Sequence, residues 1–372
     1  MTATAGTEPI RLLAGEGATP TFDRVEELLA KAERSVEIFM FVWRNDEIGN
    51  RLGRAVLAAA HRGVRIRIKK DVAAVMYERI EMNRKSFFHL PLSTLRRWKF
   101  RVFGLTFPDT YVEDDFDDEV GAAVMSHPNV EIDWVHHTHT KYYIFDERVM
   151  LTGSINVEDR HRGYQDYMFE IAGEEHVRRF RERDAGLVGL DSEREIDFLL
   201  NRITPAGHEL EIKPRMIAAL DEAVESVYIE MAYIGDPDLS QAIVNAAGRG
   251  VEITMLFSRE ANIGDDLNWR TLHRICRRAP VQVVIADKMV HSKLMLIDNR
   301  QVIAGSANLS VFSMSKAVEL DVVVRGLPRF LESVQAESRR RIAEGHPVES
   351  PDGLKPYNRV MAGLQQLHQW LT

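Results

Sequence analysis

Two stretches of the chain carry the same reactive side chains at the same spacing. His139-Thr140-Lys141 is followed by Asp146 and then Gly153-Ser154-Ile155-Asn156. His291-Ser292-Lys293 is followed by Asp298 and then Gly305-Ser306-Ala307-Asn308, with every paired position offset by 152 residues. In an extended segment residues i and i+2 project to one side, so His139 and Lys141 point together, as do His291 and Lys293. Each copy thus supplies an imidazole, an ammonium, a hydroxyl and a carboxamide, a set suited to a phosphate rather than to a carbonyl or a sugar. Two copies facing across a pseudo-two-fold axis would put imidazoles on opposite sides of one phosphorus, the arrangement for in-line displacement. A neutral histidine attacks and becomes a phosphohistidine; a protonated one gives its proton to the leaving alkoxide, then takes one from the incoming alcohol or water.

Lys141, Lys293, Asn156 and Asn308 would hold the non-bridging oxygens, with Ser154 and Ser306 beside them on the phosphate. That is the positioning role usually given to a metal, so the motif calls for neither a metal nor an organic cofactor. Opposite protonation states require unlike partners on the second ring nitrogens. Asp166, 27 residues after His139, and Glu319, 28 residues after His291, are the candidates. These residues leave open which histidine attacks. A lone His-x-Lys or Gly-Ser is usually an accident of the surface; both recurring at one spacing is not.

The elements that must carry these residues also recur. Phe22 to Ala32 has helical periodicity with Thr21 as a cap, Val36 to Trp43 is a strand, Gly49 to His61 is a helix, and Arg62-Gly63-Val64 leads into a strand from Arg65 to Lys69. In the second half Pro214 to Ala223, Val227 to Tyr233, Leu239 to Ala247 and Glu252 to Phe257 replay the order, with Arg249-Gly250-Val251 at the same turn. Each motif reads as a hairpin, turning at Asp146-Glu147-Arg148 or Asp298-Asn299-Arg300. The pattern predicts an α/β protein of two similar halves, 1–190 and 208–372, joined through a stretch holding Gly189, Pro205 and Gly207. The second half ends in two further helices, Phe330 to Ala343 and Tyr357 to Leu371.

Gly63 to His139 spans 76 residues against 41 from Gly250 to His291, so the first half carries an insertion within roughly 72–129. Its 84–107 part mixes Phe87, Phe88, Trp98, Phe100 and Phe103 with Arg84, Lys85, Arg96, Arg97 and Arg101. That composition fits either an interfacial segment on anionic lipid or a lid over the site. Glu113 to Glu119 is an acidic run without the glycine and ligand spacing of a calcium loop.

Net charge −8 disfavours a general nucleic-acid binder. The single cysteine, Cys276, excludes an intrachain disulfide and fits a reducing compartment. The start of the sequence has no basic stretch followed by an apolar run, and no window reaches eighteen apolar residues. A cytoplasmic protein, peripheral at the inner membrane face, is expected. His136, His137 and His139 invite a zinc reading, but His139 is already claimed by the phosphate chemistry.

At the paired motifs the sequence resembles the phospholipase D superfamily, defined by His-x-Lys-x4-Asp followed by Gly-Ser-x-Asn. The resemblance spans both halves and implies an αβαβα sandwich with one site between them and a covalent phosphohistidine. It also implies His139 as nucleophile, His291 as general acid, and Asp146 and Asp298 as supports of the fold. Ala-His-Arg-Gly-Val at 60–64, Ala-Gly-Arg-Gly-Val at 247–251, Met-Ala-Tyr-Ile-Gly-Asp-Pro-Asp at 231–238 and Tyr-Gln-Asp at 164–166 are similar to bacterial cardiolipin synthases. A phospholipid substrate and a phosphatidyltransferase activity follow from that resemblance. A nuclease of the same fold and a non-catalytic lipid-binding protein are the alternatives.

Overall fold

The computed structural model describes residues 8–15, 17–80, 86–89, 94, 98 and 118–371. Most of the 84–107 aromatic and basic stretch, and the acidic run up to Asp117, lie outside the described residues. Within the first stretch, Phe87 and Phe88 are core residues stacked around Trp43.

The first sheet contains β1 (Ile10–Leu13), β2 (Ser35–Met40), β3 (Arg65–Asp71), β4 (Val130–Val135), β5 (Tyr142–Phe145), β6 (Val149–Gly153) and β7 (Met168–Ala172). Their spatial order is β1-β7-β6-β5-β2-β3-β4. The second contains β8 (Ile196–Thr204), β9 (Gly207–Leu210), β10 (Ser226–Met231), β11 (Glu252–Ser258), β12 (Val281–Ala286), β13 (Lys293–Ile297), β14 (Gln301–Gly305), β15 (Glu319–Arg325) and β16 (His346–Val348). Their order is β16-β12-β11-β10-β13-β14-β15-β8-β9. The parallel trio β2-β3-β4 corresponds to β10-β11-β12, and the antiparallel meander β5-β6-β7 to β13-β14-β15. Both sheets are therefore mixed, as two copies of one unit require.

Helices α1 (Thr19–Lys31), α2 (Glu47–His61), α3 (Val72–Ile80) and α4 (Asp118–Ser126) belong to the first half. The apolar residues of α1 and α2 and Val124 of α4 share one core with the first sheet's outer face. In the second half, α6 (Ile212–Glu222), α7 (Pro237–Gly248) and α8 (Asp265–Cys276) form a matching core on the outer face of the second sheet. A third core lies between the sheets, where α5 (Glu174–Asp184) inserts Val177 and Phe180 and α10 (Pro328–Glu344) inserts Phe330, Leu331 and Val334. The result is the five-layer αβαβα sandwich. It follows from strands that are apolar on both faces and must be covered on both.

Two elements depart from the expected division. Ile196–Thr204, placed by sequence within the join, is a strand bonded to β15. Ile10–Leu13, not anticipated at all, closes the edge of the first sheet by pairing with β7. Each pairs with a strand more than a hundred residues away, and Ile196–Thr204 also forms a short hairpin with β9. The Tyr357 to Leu371 helix forms as α11 (Arg359–Leu371), and a short α9 (Val311–Ser315) follows the second motif.

Candidate active site

Each histidine sits just ahead of the first strand of its meander, and each Gly-Ser-x-Asn follows the second. Strand geometry thus brings the pieces of one motif to one end of its sheet. The hairpin turns lie at the other end. Asp146 and Glu147 (φ 52° and 57°) and Asp298 and Asn299 (φ 50° and 53°) adopt the left-handed conformation that a right-twisted hairpin needs. Asp146 accepts from the backbone N–H groups of Glu33, Arg34 and Ser35 at 2.8 to 3.0 Å. Asp298 accepts from Val224, Glu225 and Ser226 at 2.7 to 3.1 Å. Those bonds hold both carboxyls below the ordinary aspartate range despite partial burial. Both aspartates tie the hairpin to the chain entering β2 or β10 and stand at the far end from the histidines.

The motif glycines are required by close approach. A Cβ on Gly153 would lie 2.6 Å from the Tyr167 carbonyl oxygen, and one on Gly305 would lie 2.2 Å from that of Leu320. These contacts let the chain turn from the second strand directly into the site.

The partners of the histidines cross between the halves. His139 Nδ1 lies 3.2 Å from Glu319 Oε2 and 3.0 Å from the Ser306 carbonyl oxygen. His291 Nδ1 lies 2.8 Å from Asp166 Oδ2. Each carboxylate therefore serves the histidine of the opposite copy, correcting the within-copy pairing that sequence spacing suggested. The cause is a pair of backbone bridges: His139 N–H donates to Val318 C=O at 2.8 Å, and His291 N–H donates to Gln165 C=O at 2.9 Å. Val318 and Gln165 immediately precede Glu319 and Asp166, so the bridge that joins the halves also delivers the carboxylate. Both acids are buried.

The serines are also placed differently from the expectation. Ser154 Oγ donates to Asp166 Oδ1, and Ser306 Oγ donates to Glu319 Oε2 at 2.5 Å. Both hydroxyls are buried and committed to the carboxylates, so they fix the acids that orient the rings instead of facing a phosphate. Spacing put them near the site; the direction of a buried hydroxyl depends on the carboxylate that arrives from β7 or β15.

Lys141 and Lys293 are buried beside the rings. Lys141 Nζ donates to the His139 carbonyl at 2.5 Å and stands over the Phe41 ring. Lys293 Nζ donates to the His291 carbonyl and lies 3.2 Å from both ring nitrogens of His291. Burial, then the charge of Lys293, lowers Lys141 to about 7; burial lowers Lys293 to about 8. Burial and the adjacent lysines likewise push both motif histidines below the ordinary imidazole range, His291 well below it, against the opposing pull of Glu319 and Asp166. Asp166 and Glu319 offset only part of the effect of burial on the two lysines, so the site favours an added negative charge. Asn156 Oδ1 accepts weakly from the Val42 N–H at 3.4 Å, and Asn308 Oδ1 has no hydrogen-bond partner among the described residues.

Sequence inspection missed a third imidazole. His161 is fully buried, its Nδ1 2.8 Å from the same Asp166 Oδ2 that serves His291 and its Nε2 3.2 Å from Glu158. The two rings meet edge to face with centroids 4.7 Å apart. Asp166 and Glu158 together hold His161 above the ordinary imidazole range despite its burial. Its position in the second copy is Ser313, so a search for repeated residues passes over it. Arg341, projecting from the central helix α10, donates to the Asp166 carbonyl at 2.9 Å and pairs with Glu230. His136 and His137 of the zinc reading are exposed and stand outside this cluster.

A duplicated αβαβα sandwich with two His-x-Lys pairs, each backed by a carboxylate from the opposite half, defines a phosphodiester-transferring enzyme of the phospholipase D type. Comparison with known proteins gives the family. The family model described as "Cardiolipin synthase, PLD-like domain" matches residues 25–183 and 216–341, and the chain belongs to that family. Cardiolipin synthase B of Shigella flexneri is 23% identical over 343 residues, covering 83% of this chain and 75% of the relative. A phospholipase D of Rickettsia conorii is 31% identical over 108 residues, 28% of this chain and 52% of its own length. The crystal structure of phosphatidylserine synthase from Haemophilus influenzae superposes with a TM-score of 0.70 at 12% identity, covering 98% of this chain and 94% of that one. The last is a likeness of fold.

Proposed function

We propose that the protein transfers a phosphatidyl group between alcohols through a covalent phosphohistidine, without a metal, hydrolysis being the side reaction when water replaces the acceptor. The observation that carries this reading is the crossed pair of His–carboxylate contacts. With Nδ1–H held on a carboxylate, the lone pair of each ring stands on Nε2, the nitrogen turned away from the acid. Two such imidazoles, each needing the other half for its orientation, are what an in-line displacement at one phosphorus requires.

In the first step Nε2 of His139 forms a bond to phosphorus while the bond to the leaving alkoxide breaks, and that oxygen takes the proton of His291. In the second, His291 removes a proton from the incoming alcohol, whose oxygen bonds phosphorus as the P–N bond breaks. The roles of the two histidines follow the family resemblance. Lys141, Lys293, Asn156 and Asn308 face the non-bridging oxygens. Burial and, after it, the charge of Lys293 depress His291 in the empty site; a bound phosphodiester offsets the lysine charge and so favours the proton the acid must donate. Asp166 and Glu319, clamped by Ser154 and Ser306, stabilise the imidazolium that forms.

A phospholipid substrate is supported by the names of the relatives, cardiolipin synthase B and phospholipase D. The membrane is then a surface to be visited, since no helix among the described residues is long and apolar enough to cross it. We place the protein on the cytoplasmic face, in peripheral contact with anionic lipid.

The test is incubation with phosphatidylglycerol and, separately, single-stranded DNA, in EDTA, using the wild type and the His139→Ala and His291→Ala variants. New phospholipid formed by the wild type alone is expected. EDTA belongs in the assay because His161, Asp166 and His291 bring potential ligand atoms within 4.8 Å of one another. Turnover of DNA only would make the protein a nuclease. Full turnover by both alanine variants would remove the histidines from the chemistry.

A further inference from the structure

Helix α11 is mounted with its polar side inward. Its residues Ala362, Gln365, Gln366 and Gln369 face the protein. Gln365 accepts from the Leu267 N–H at 2.9 Å, Gln366 from Arg270, and Gln369 from the Val311 N–H at 3.2 Å. The opposite face carries Val360, Leu364, Leu367 and Trp370, which are 70%, 54%, 52% and 54% exposed, with Met361 beside them. At 100° per residue these five share one side of the helix, with His368 and Gly363 among them. A surface helix ordinarily buries its apolar stripe and hydrates its amides; here glutamines make the intramolecular contacts and the apolar side chains face outward. Such a stripe marks a surface made to be covered.

The position of the helix says by what. It packs on the first turns of α8: the Asn358 N–H, just before α11, donates to Asp266 at 2.6 Å, Gln365 meets Leu267 and Gln366 meets Arg270. Its last turn lies beside the loop that follows Asn308: Gln369 accepts from the Val311 N–H, and Lys316 Nζ donates to the Trp370 carbonyl. The helix itself carries Arg359 and His368 and no carboxylate, while Asp266 of α8 accepts from the Asn358 N–H at its start. Lys316 stands at one end and Arg359 at the other. An apolar stripe that ends in a tryptophan beside Lys316 is the composition of a helix lying in the boundary of an anionic bilayer.

We infer that α11 is a membrane-docking helix whose exposed Val360, Leu364, Leu367 and Trp370 enter the headgroup and acyl boundary of anionic lipid and bring the adjoining rim of the site to the bilayer. The inference rests on the reading of the substrate as a phospholipid. It names a surface distinct from the 84–107 stretch.

The experiment compares the full-length protein with its Leu364→Ser/Leu367→Ser variant on vesicles of phosphatidylglycerol and phosphatidylcholine, by co-sedimentation. Both are also assayed on a short-chain, monomeric phosphatidylcholine below its micelle concentration. The expected result is at least a tenfold loss of vesicle partitioning with unchanged turnover of the monomeric substrate, since the two leucines lie outside the site. Wild-type partitioning by the variant overturns the inference. So does a wild-type dimer, seen in analytical ultracentrifugation, that the variant abolishes, because the stripe is then a contact between copies. Failure of the wild type to turn over any phospholipid while still binding vesicles through α11 would refute the proposed reaction and leave the docking surface standing.

Discussion

Asp166→Asn is the change that most directly probes the crossed architecture. The residue belongs to the first half, yet its Oδ2 sits 2.8 Å from Nδ1 of His291 in the second and 2.8 Å from Nδ1 of His161. Asparagine preserves the shape and an accepting oxygen, so the loss is mainly the charge. Unit charges about 4 Å apart in surroundings of effective dielectric ~20 interact by about 4 kcal/mol. If that contact stabilises the imidazolium in the transition state, its removal lowers turnover by up to about a thousandfold at ~1.4 kcal/mol per decade. The sign of the pH effect is also determined. Burial and Lys293 already lower the proton affinity of His291, and Asp166 opposes them. Without the carboxylate the imidazolium survives only at lower pH, so the alkaline limb of the rate profile moves to lower pH. The measurement is a pH–rate profile under saturating substrate, with ring-proton NMR following each histidine. Turnover within threefold of wild type, or a shift confined to His139, would refute the crossed pairing as a catalytic device.

Three further outcomes follow from the same geometry. Glu319→Gln should move the titration of His139 and leave that of His291 in place, with turnover falling roughly 10²–10⁴-fold, the usual range for a disabled acid–base group; NMR titration beside steady-state rates checks both. With Lys141 at about 7 and Lys293 at about 8 in the empty site, an oxyanion such as tungstate should bind more weakly as pH rises through that window and take up protons on binding. Calorimetry in buffers of different ionisation enthalpy measures that uptake, and its absence above neutrality would contradict buried, partly discharged lysines. Asp298→Ala removes a carboxylate that caps three backbone N–H groups and should cost about 1–2 kcal/mol of stability at neutral pH. Because the folded state lowers that carboxyl, its contribution is complete above the unfolded aspartate value and is lost as pH falls through the folded one, so denaturation curves of variant and wild type should converge in acid.

Much of this protein is legible in its sequence. Strict recurrence of the two motifs at one offset identified a duplicated phosphoryl-transfer device, because reactive side chains within one hairpin are positioned by short-range geometry: period two along a strand and a tight turn. The helix–strand–helix order of each half followed from local hydrophobic periodicity for the same reason. The family resemblance supplied the sandwich of layers. Tertiary structure decided what depends on segments distant in sequence. The strand at 196–204 and the edge strand at 10–13 are defined by their partners. Ser154 and Ser306 share the spacing of phosphate ligands, yet their hydroxyls turn to carboxylates brought by later strands. His161 has no repeated counterpart and acquires meaning only from the Asp166 it shares with His291. Above all, spacing within a copy pairs each histidine with its own downstream acid, whereas the bridges of His139 to Val318 and His291 to Gln165 exchange those acids between the halves. A motif records which groups are present; a backbone hydrogen bond across the interface, between residues more than a hundred positions apart, settles which of them touch.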